Sequence, residues 1–432
     1  MARVPGLLLV VVDCLRADLF DPPRRAWPIA SRLLESGASF ASAYTTCPTT
    51  TPAFAALLTG RLPSTHGVRA LRGARLSEDV PTLAEEFARA GRRTWASVTG
   101  PLLNNVGILR GFEEVEYRDV PERSVHSPWG RRLLERVRTD AAGDGNWLGL
   151  VHLWDMHTPR TYPRRFDERR FGRTTYERSL AGVDPWLGQL LDAAGPETTV
   201  VFTGDHGENV NLEPRTLRQQ AISRRIHRLP VKAWAARTVE RGGRSESKRL
   251  LRIAPRYFWN HSQTLFERDV RVPLAFAGPS VAAGTWTTPV SHVDVAPTLL
   301  ELAGLPGDVG APPSTSLAPS VREGREPPPH PVVMETATGA PGGIPTIPHH
   351  AIRDGRWKLL TSLERTAAFA DALYDLPADP RERRNVAREH GEVVERLKAK
   401  LRELTAERSE AGAMSAEDDA ALEQRLEELG YL

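Results

Sequence analysis

The apolar positions of this chain fall into two kinds of run. Short runs that are apolar at nearly every position, rich in Val, Ile, Leu and Thr, occupy 6–12 (GLLLVVV), 93–98, 147–153, 198–203 and 270–277. Runs of this length with no polar face fit strands covered on both sides, as in a parallel sheet. Between and after them, apolar residues recur at helical spacing over 28–36, 83–90, 176–194, 294–302, 392–405 and 420–429. Strands alternating with helices predict an α/β fold, with a large, mostly parallel mixed sheet sandwiched by helices. Residues 307–350 are rich in Pro and Gly and read as a long irregular connection. A strand-like run at 356–361 and the later helices predict a small C-terminal α+β subdomain. The expected division is therefore a catalytic unit over 1–350 and a subdomain over 351–432.

The first apolar run could be taken for a secretory leader, since it follows Arg3. It is short, ends directly in Asp13 and has no small-residue cleavage site after it, so it reads as a buried strand. No window is long and apolar enough to span a bilayer, and a cytoplasmic location is expected. Cys14 and Cys47 make neither a disulfide framework nor a CxxC metal knuckle, which fits a reducing compartment. With 432 residues, 40% hydrophobic and 26% charged, the chain can bury a sizeable core. A net charge of +3 is too small to imply a nucleic-acid or membrane partner. The exception is local, because residues 211–260 carry thirteen Lys/Arg against three Glu. This segment reads either as a solvated helical insertion or as a basic lid that draws an anionic substrate or surface toward the site. The solvated insertion is the preferred reading, and Trp234, Tyr257, Phe258 and Trp259 add weight to the lid without deciding for it.

The candidate chemistry sits where strands end. Asp13 follows the first strand, Asp155 and His157 follow the run at 147–153, and Asp205 and His206 follow the run at 198–203. In open α/β sheets ligands gather at the carboxyl ends of strands, so topology would bring these groups together. One strand-end Asp is an ordinary turn residue; several in one sheet suit a hard, oxygen-rich cation site. His261 adds an imidazole farther along. Thr50 stands two residues before Pro52 and a helix-competent run at 53–58. A Thr there is commonly a helix cap, but the same place also holds an anion against a nucleophile. A cation held by Asp13, Asp205 and His206 could take the Thr50 oxygen as a further ligand and activate it.

These segments together resemble the sulfatase branch of the alkaline phosphatase superfamily, over nearly the whole chain. VVVDCLRADLF is similar to the family's first metal-binding strand and TTTPAFAALLTGRLPSTHGV to its nucleophile segment. LVHLWDMHTP is similar to its substrate-histidine segment, and VVFTGDHGEN to its second metal-binding strand. HSQTLFERDVRVPLAFAGP, SHVDVAPTLLELAGLP, RDGRWKLL, LYDLPADPRERRNVA and RLEELGYL follow in the family's order. The resemblance implies that Asp13, Asp205 and His206 hold a metal, that Thr50 attacks, and that His157 and His261 bind the transferred group or protonate the leaving oxygen. A second metal or substrate site at Asp155, His157 and His261 is a further expectation. Zn²⁺ or Mn²⁺ suits the Asp/Asp/His donors, with Ca²⁺ and Mg²⁺ as alternatives.

The departures carry as much information. Sulfatases convert Cys or Ser of a C/S-x-P-x-R pattern to formylglycine. Here Thr50 holds the nucleophile position, Pro52 is kept, and Phe54 replaces Arg. Cys47 lacks both partners, having Thr49 for Pro and Thr51 for Arg, so no formylglycine is expected. Cys14 replaces the usual second Asp, and Gln263 replaces a Lys after His261. A Thr ester of phosphate can be hydrolysed at phosphorus, whereas a sulfo-ester of an ordinary alcohol lacks the geminal-diol route of formylglycine. The expected activity is therefore metal-dependent hydrolysis of an anionic phosphate ester, a diester or a monoester, through a phosphothreonine. The alternatives are a sulfatase, a phosphoryl-headgroup transferase, or a non-catalytic binding protein that keeps the fold.

Overall fold

The computed structural model describes residues 6–21, 25–143, 145–210, 264–307, 309–337, 349–363, 371–409 and 411–428. The basic segment 211–260, His261 and Gln263 thus lie outside the described residues. In chain order the elements used below begin with β1 (Gly6–Val12), α1 (Pro28–Ser36), β2 (Ala38–Phe40), α2 (Thr50–Thr59) and α3 (Leu83–Arg89). They continue with β3 (Arg93–Val98), β4 (Glu114–Tyr117), α4 (Pro128–Ala142), β5 (Trp147–Leu153), α5 (Thr175–Ala194), β6 (Thr198–Gly204), β7 (Leu274–Ala277) and β8 (Gly284–Trp286). After α6 (Val295–Leu302) come β9 (Val332–Glu335), β10 (His350–Asp354), β11 (Trp357–Thr361), β12 (Ala372–Asp375), α7 (Gly391–Leu404) and α8 (Ala416–Glu428).

The main sheet has eight strands in the order β8-β2-β7-β6-β1-β5-β3-β4. All pairings are parallel except those of β7, which runs against both neighbours, so the sheet is mixed and mostly parallel as expected. Side chains alternate across a strand, and β1 shows both faces buried. Leu7, Leu9 and Val11 join a core with Phe54 and Leu57 of α2, Leu83 and Phe87 of α3, and Val295 and Leu299 of α6. Leu8, Val10 and Val12 join another with Ala30 and Leu33 of α1, Trp129 and Leu133 of α4, and Leu180 and Leu187 of α5. The continuous apolar run is thus explained by helices on both faces.

The single apolar run expected at 270–277 is split. A helical turn covers Glu267–Val270, Arg271–Val272 pairs in a separate three-stranded sheet, and β7 begins only after Pro273. Proline has no N–H to give a ladder, which separates the two pieces. The irregular connection expected at 307–350 also contains order, a helix at Ala318–Glu323 and the strand β9. β9 forms the edge of a four-stranded antiparallel sheet, β9-β10-β11-β12, so this sheet begins ahead of residue 350. One face, with Val333, Ile352, Leu359 and Leu373, packs on α7 and on Ala56 of α2. The other, with Val332, Met334, Ala351 and Leu360, packs on Tyr44, Leu265 and Val270.

The layers are also joined by polar groups. The buried carboxylate of Asp184, in α5, accepts the N–H groups of Ile29 (3.0 Å) and Ala30 (2.8 Å) in the first turn of α1. Trp27 precedes that helix and makes no side-chain cap, so Asp184 replaces a local cap with one from a neighbouring helix. Removing it with Asp184→Ala is expected to cost about 1–3 kcal/mol, read from the denaturant midpoint, because two buried donors lose their acceptor.

Candidate active site

The register of the parallel strands positions the site. Val12 of β1 lies opposite Leu153 of β5 and Gly204 of β6, so Asp13, the 154–157 turn and Asp205 leave the sheet side by side. The Asp13 N–H donates to the Leu153 carbonyl (2.8 Å) and the Asp205 N–H to that of Val12 (3.3 Å), which extends both ladders by one residue. Asp13, Asp205 and His206 are fully buried.

Thr50 enters from the other side. It is the first residue of α2, and the N-cap is Thr49, which makes no side-chain cap bond. The Thr50 hydroxyl therefore does not cap the helix; its Oγ1 lies 3.3 Å from His206 Nε2. The helix behind it places the positive end of its dipole beside that oxygen.

Two imidazoles present the same face to this cluster. His206 Nδ1 is 2.8 Å from the carbonyl oxygen of Gly207, and His152 Nδ1 is 3.2 Å from that of Thr99. A carbonyl only accepts, so each Nδ1 carries a proton, and a neutral ring then turns a bare Nε2 inward. His206 Nε2 sits 3.3 Å from Asp205 Oδ2, and His152 Nε2 3.3 Å from Asp13 Oδ2. Lone pairs facing carboxylate oxygens need a proton or a cation between them. A carbonyl holding the outer nitrogen is also the arrangement that orients metal-binding histidines.

The carboxylates point the same way. Asp205 Oδ1 accepts from the N–H groups of Cys14 (2.9 Å) and His206 (2.7 Å), but Asp205 Oδ2 and Asp13 Oδ1 accept no hydrogen bond. Ligand atoms of Asp13, His152 and Asp205 lie within 4.8 Å of one another, and so do those of Asp13, Cys14 and His206. The donor set fits a divalent cation. Burial and the like charge of Asp13 push the Asp205 carboxyl up to about 6. Burial opposes charge on Asp13 too, but the His152 contact and the charges of His157 and His206 hold it well below the usual range. Burial works against a charged His206, and the Asp205 and Asp13 charges outweigh it and raise its pKa.

The remaining predicted residues divide. His157 is buried, stacked on Trp154 with ring centroids 4.0 Å apart, and burial pushes it down to about 4 despite the nearby Asp13 charge. Asp155 does not join the cluster: its Oδ1 accepts from Ser124 Oγ (2.6 Å), and the Val125 N–H is 3.3 Å from each oxygen. It ties the 120s loop to the sheet end. Cys47 is buried near Glu335 and Arg69, and burial raises its thiol well above the ordinary value. Phe54, at the position of the family's Arg, is fully buried with its ring 4.9 Å from that of His152.

His152 is the residue that the sequence reading overlooked. It sits inside a strand and counts as core by pattern. Strand parity contains the missing signal: Leu148 and Leu150 face the α2 side of the sheet, so His152 does too, at the end nearest Thr50. A second omission is Glu208, which pairs with Arg160 beneath the site, while the backbone carbonyls of Glu208 (3.0 Å) and Val210 (2.5 Å) accept from Arg16 Nη1. These contacts brace the loop that carries His206.

Residues 5–305 match the sulfatase family model, and residues 256–407 match the model of the N-sulphoglucosamine sulphohydrolase C-terminal region. The chain is 28% identical to the choline-sulfatase of Rhizobium meliloti over 89% of its own length and 82% of that protein. It is 25% identical to the Delta 4,5-hexuronate-2-O-sulfatase of Bacteroides thetaiotaomicron, over 84% of this chain and 78% of the relative. Among solved structures, the phosphonate monoester hydrolase of Agrobacterium radiobacter superposes with a TM-score of 0.69 at 19% identity, covering 93% of this chain and 95% of the other. No helix among the described residues is long and apolar enough to cross a membrane. With a family model matched over most of its length, the chain belongs to the sulfatase family.

Proposed function

We propose that this chain is a metal-dependent hydrolase of phosphate esters that works through a phosphothreonine at Thr50. The observation that carries the reading is the Thr50 hydroxyl at the start of α2, 3.3 Å from His206 Nε2 and released from any capping role. A divalent cation held by Asp13, Asp205 and His206, with His152 as a further donor, would supply positive charge to the nucleophile and to the non-bridging oxygens of the ester. Zn²⁺ and Mn²⁺ fit this mixed nitrogen and oxygen set.

The chain's own residues then divide the work. The Thr50 hydroxyl proton passes to solvent, its Oγ1 forms the bond to phosphorus, and the bond from phosphorus to the alcohol oxygen breaks in line. The positive end of the α2 dipole would face the phosphoryl group. His157, held flat against Trp154 and pushed by burial to about 4, would take a proton from solvent and, in that strongly acidic form, pass it to the leaving oxygen, a role His261 shares in this proposal. Water then attacks phosphorus and the Thr50 oxygen departs with a proton. Phe54 supports a phosphate rather than a sulfate substrate, since it stands where formylglycine enzymes carry the arginine of their nucleophile motif. The anionic substrate also gives the basic 211–260 segment a role in attraction.

A second reading, hydrolysis of a sulfuric ester, is favoured by the choline-sulfatase match over 89% of the chain. Turnover of three chromogenic esters by metal-loaded protein separates the two: a phosphomonoester, a phosphodiester and an aryl sulfate. The phosphate reading expects one of the first two to have the highest kcat/KM. An aryl sulfate preferred over both would sink it.

A further inference from the structure

Cys14 is the one residue of the cluster whose chemistry the proposed mechanism leaves unused. We propose that its thiolate is a ligand of the metal, making this a mixed sulfur, nitrogen and oxygen site that selects soft cations. The proposal rests on the metal reading above. It starts from position: Cys14 Sγ, a carboxylate oxygen of Asp13 and a ring nitrogen of His206 all lie within 4.8 Å of one another. All three residues are fully buried, and one oxygen of Asp13, Oδ1, accepts no hydrogen bond.

The backbone is arranged to hold the thiol there. Cys14 has φ of 61°, in the left-handed region that a non-glycine residue enters at a cost. Both of its peptide groups are tied down, the N–H to Asp205 Oδ1 (2.9 Å) and the carbonyl to the Tyr176 hydroxyl (2.5 Å). Continuing β1 in extended form would carry residue 14 along the strand and away from Asp13. The turn instead brings the side chains of Asp13 and Cys14, neighbours that a strand would send to opposite faces, to one point.

The chemical consequence follows from ligand softness. A carboxylate at this position suits Ca²⁺ or Mg²⁺, whereas a thiolate favours Zn²⁺, Co²⁺ or Cd²⁺. Binding replaces the thiol proton with the cation, and that proton passes to solvent, so the bond made is sulfur to metal and the bond broken is S–H.

Cobalt tests this directly, because a thiolate ligand adds a near-ultraviolet sulfur-to-cobalt charge-transfer band to the visible d–d bands. The full chain loaded with Co²⁺ should show both. Cys14→Ser should keep the visible bands and lose the charge-transfer band, and Cys47→Ser should keep both. In competition between Cd²⁺ and Ca²⁺, Cys14→Asp is expected to shift the preference toward Ca²⁺ by about 10–100-fold. Co²⁺ bound by the native chain without the charge-transfer band would overturn the thiolate ligand and leave the metal site standing. Retention of the band in Cys14→Ser would overturn it as well. No Co²⁺ binding at all would overturn the metal site and the ligand together.

Discussion

Thr50→Ala is expected to lower kcat/KM for the preferred ester by about 10⁴–10⁶-fold, the range seen when a nucleophile is removed from an otherwise intact site. Alanine keeps the helix start, because the cap belongs to Thr49 and the Thr50 hydroxyl contributes nothing to it. Stability should therefore stay close to that of the native chain, and the loss would be chemical. Thr50→Ser, which keeps an oxygen at the same place, should retain measurable turnover. Acid-quenched protein from a single-turnover reaction should carry phosphate on the peptide that contains residues 49–58, and the alanine variant should carry none. Activity that survives Thr50→Ala would assign the nucleophile elsewhere.

Lys358→Met carries the largest expected effect on stability, about 3–5 kcal/mol, because it strands buried carboxylates without their cation. Lys358, on β11, is fully buried, with its Nζ 2.9 Å from Glu267 and 2.9 Å from Glu382. The two acids are themselves joined, since the Glu267 N–H donates to Glu382 Oε2 (2.7 Å), and the Tyr44 hydroxyl donates to Glu267 Oε2 (3.0 Å). Tyr44 and Glu267 belong to the segments that form the three-stranded sheet while Lys358 and Glu382 belong to the strands and loops of the four-stranded one, so the cluster fastens these two sheets together. Burial, opposed by Lys358 and reinforced by Glu267, pushes Glu382 up to about 7. A carboxyl raised in the folded state stabilises the fold below its unfolded value, and that contribution is lost as pH rises through about 7. The deficit of Lys358→Met should accordingly be larger at alkaline than at mildly acidic pH, where the acids can take up protons. Denaturant midpoints across that range measure it, and a deficit independent of pH would refute the electrostatic account. Adding Glu382→Gln should restore part of the loss.

Asp13, Thr50, Asp205 and His206 were legible as a group because each is tied to a feature that pattern reveals. Two follow β-branched strands in a sheet whose parallel order the alternation predicts, and Thr50 precedes a proline at a helix start. Asp155 shared the first signal, and its carboxylate accepts from the Ser124 hydroxyl and the Val125 N–H; the second site expected of it with His157 and His261 involves a residue outside those described. His152 lacked the signal, since a histidine within an apolar strand looks the same whether it packs or binds. Only the strand's parity against α2 separates those cases.

The sequence by itself determined the α/β class, the strands β1, β3, β5 and β6, and the covering helices α1, α3, α5 and α6, because their periodicity is local and continuous; α4, which also covers the sheet, was not among the expected helices. It also carries Thr50, with Pro52 two residues on and Phe54 in place of the family's arginine, which is the basis of the threonine mechanism proposed above. What tertiary structure decided were the elements and contacts whose stability comes from distant partners. β2, β4 and β8 are only three or four residues long and exist as edges or fillers of a sheet already formed. β9 is a four-residue strand in a Pro-rich stretch, ordered by pairing with β10. The approach of His152 to Asp13 and of Cys14 to His206 follows from register and one left-handed residue. Neither leaves a trace in local hydrophobicity, because the free energy that places them is supplied by strands far away in the chain.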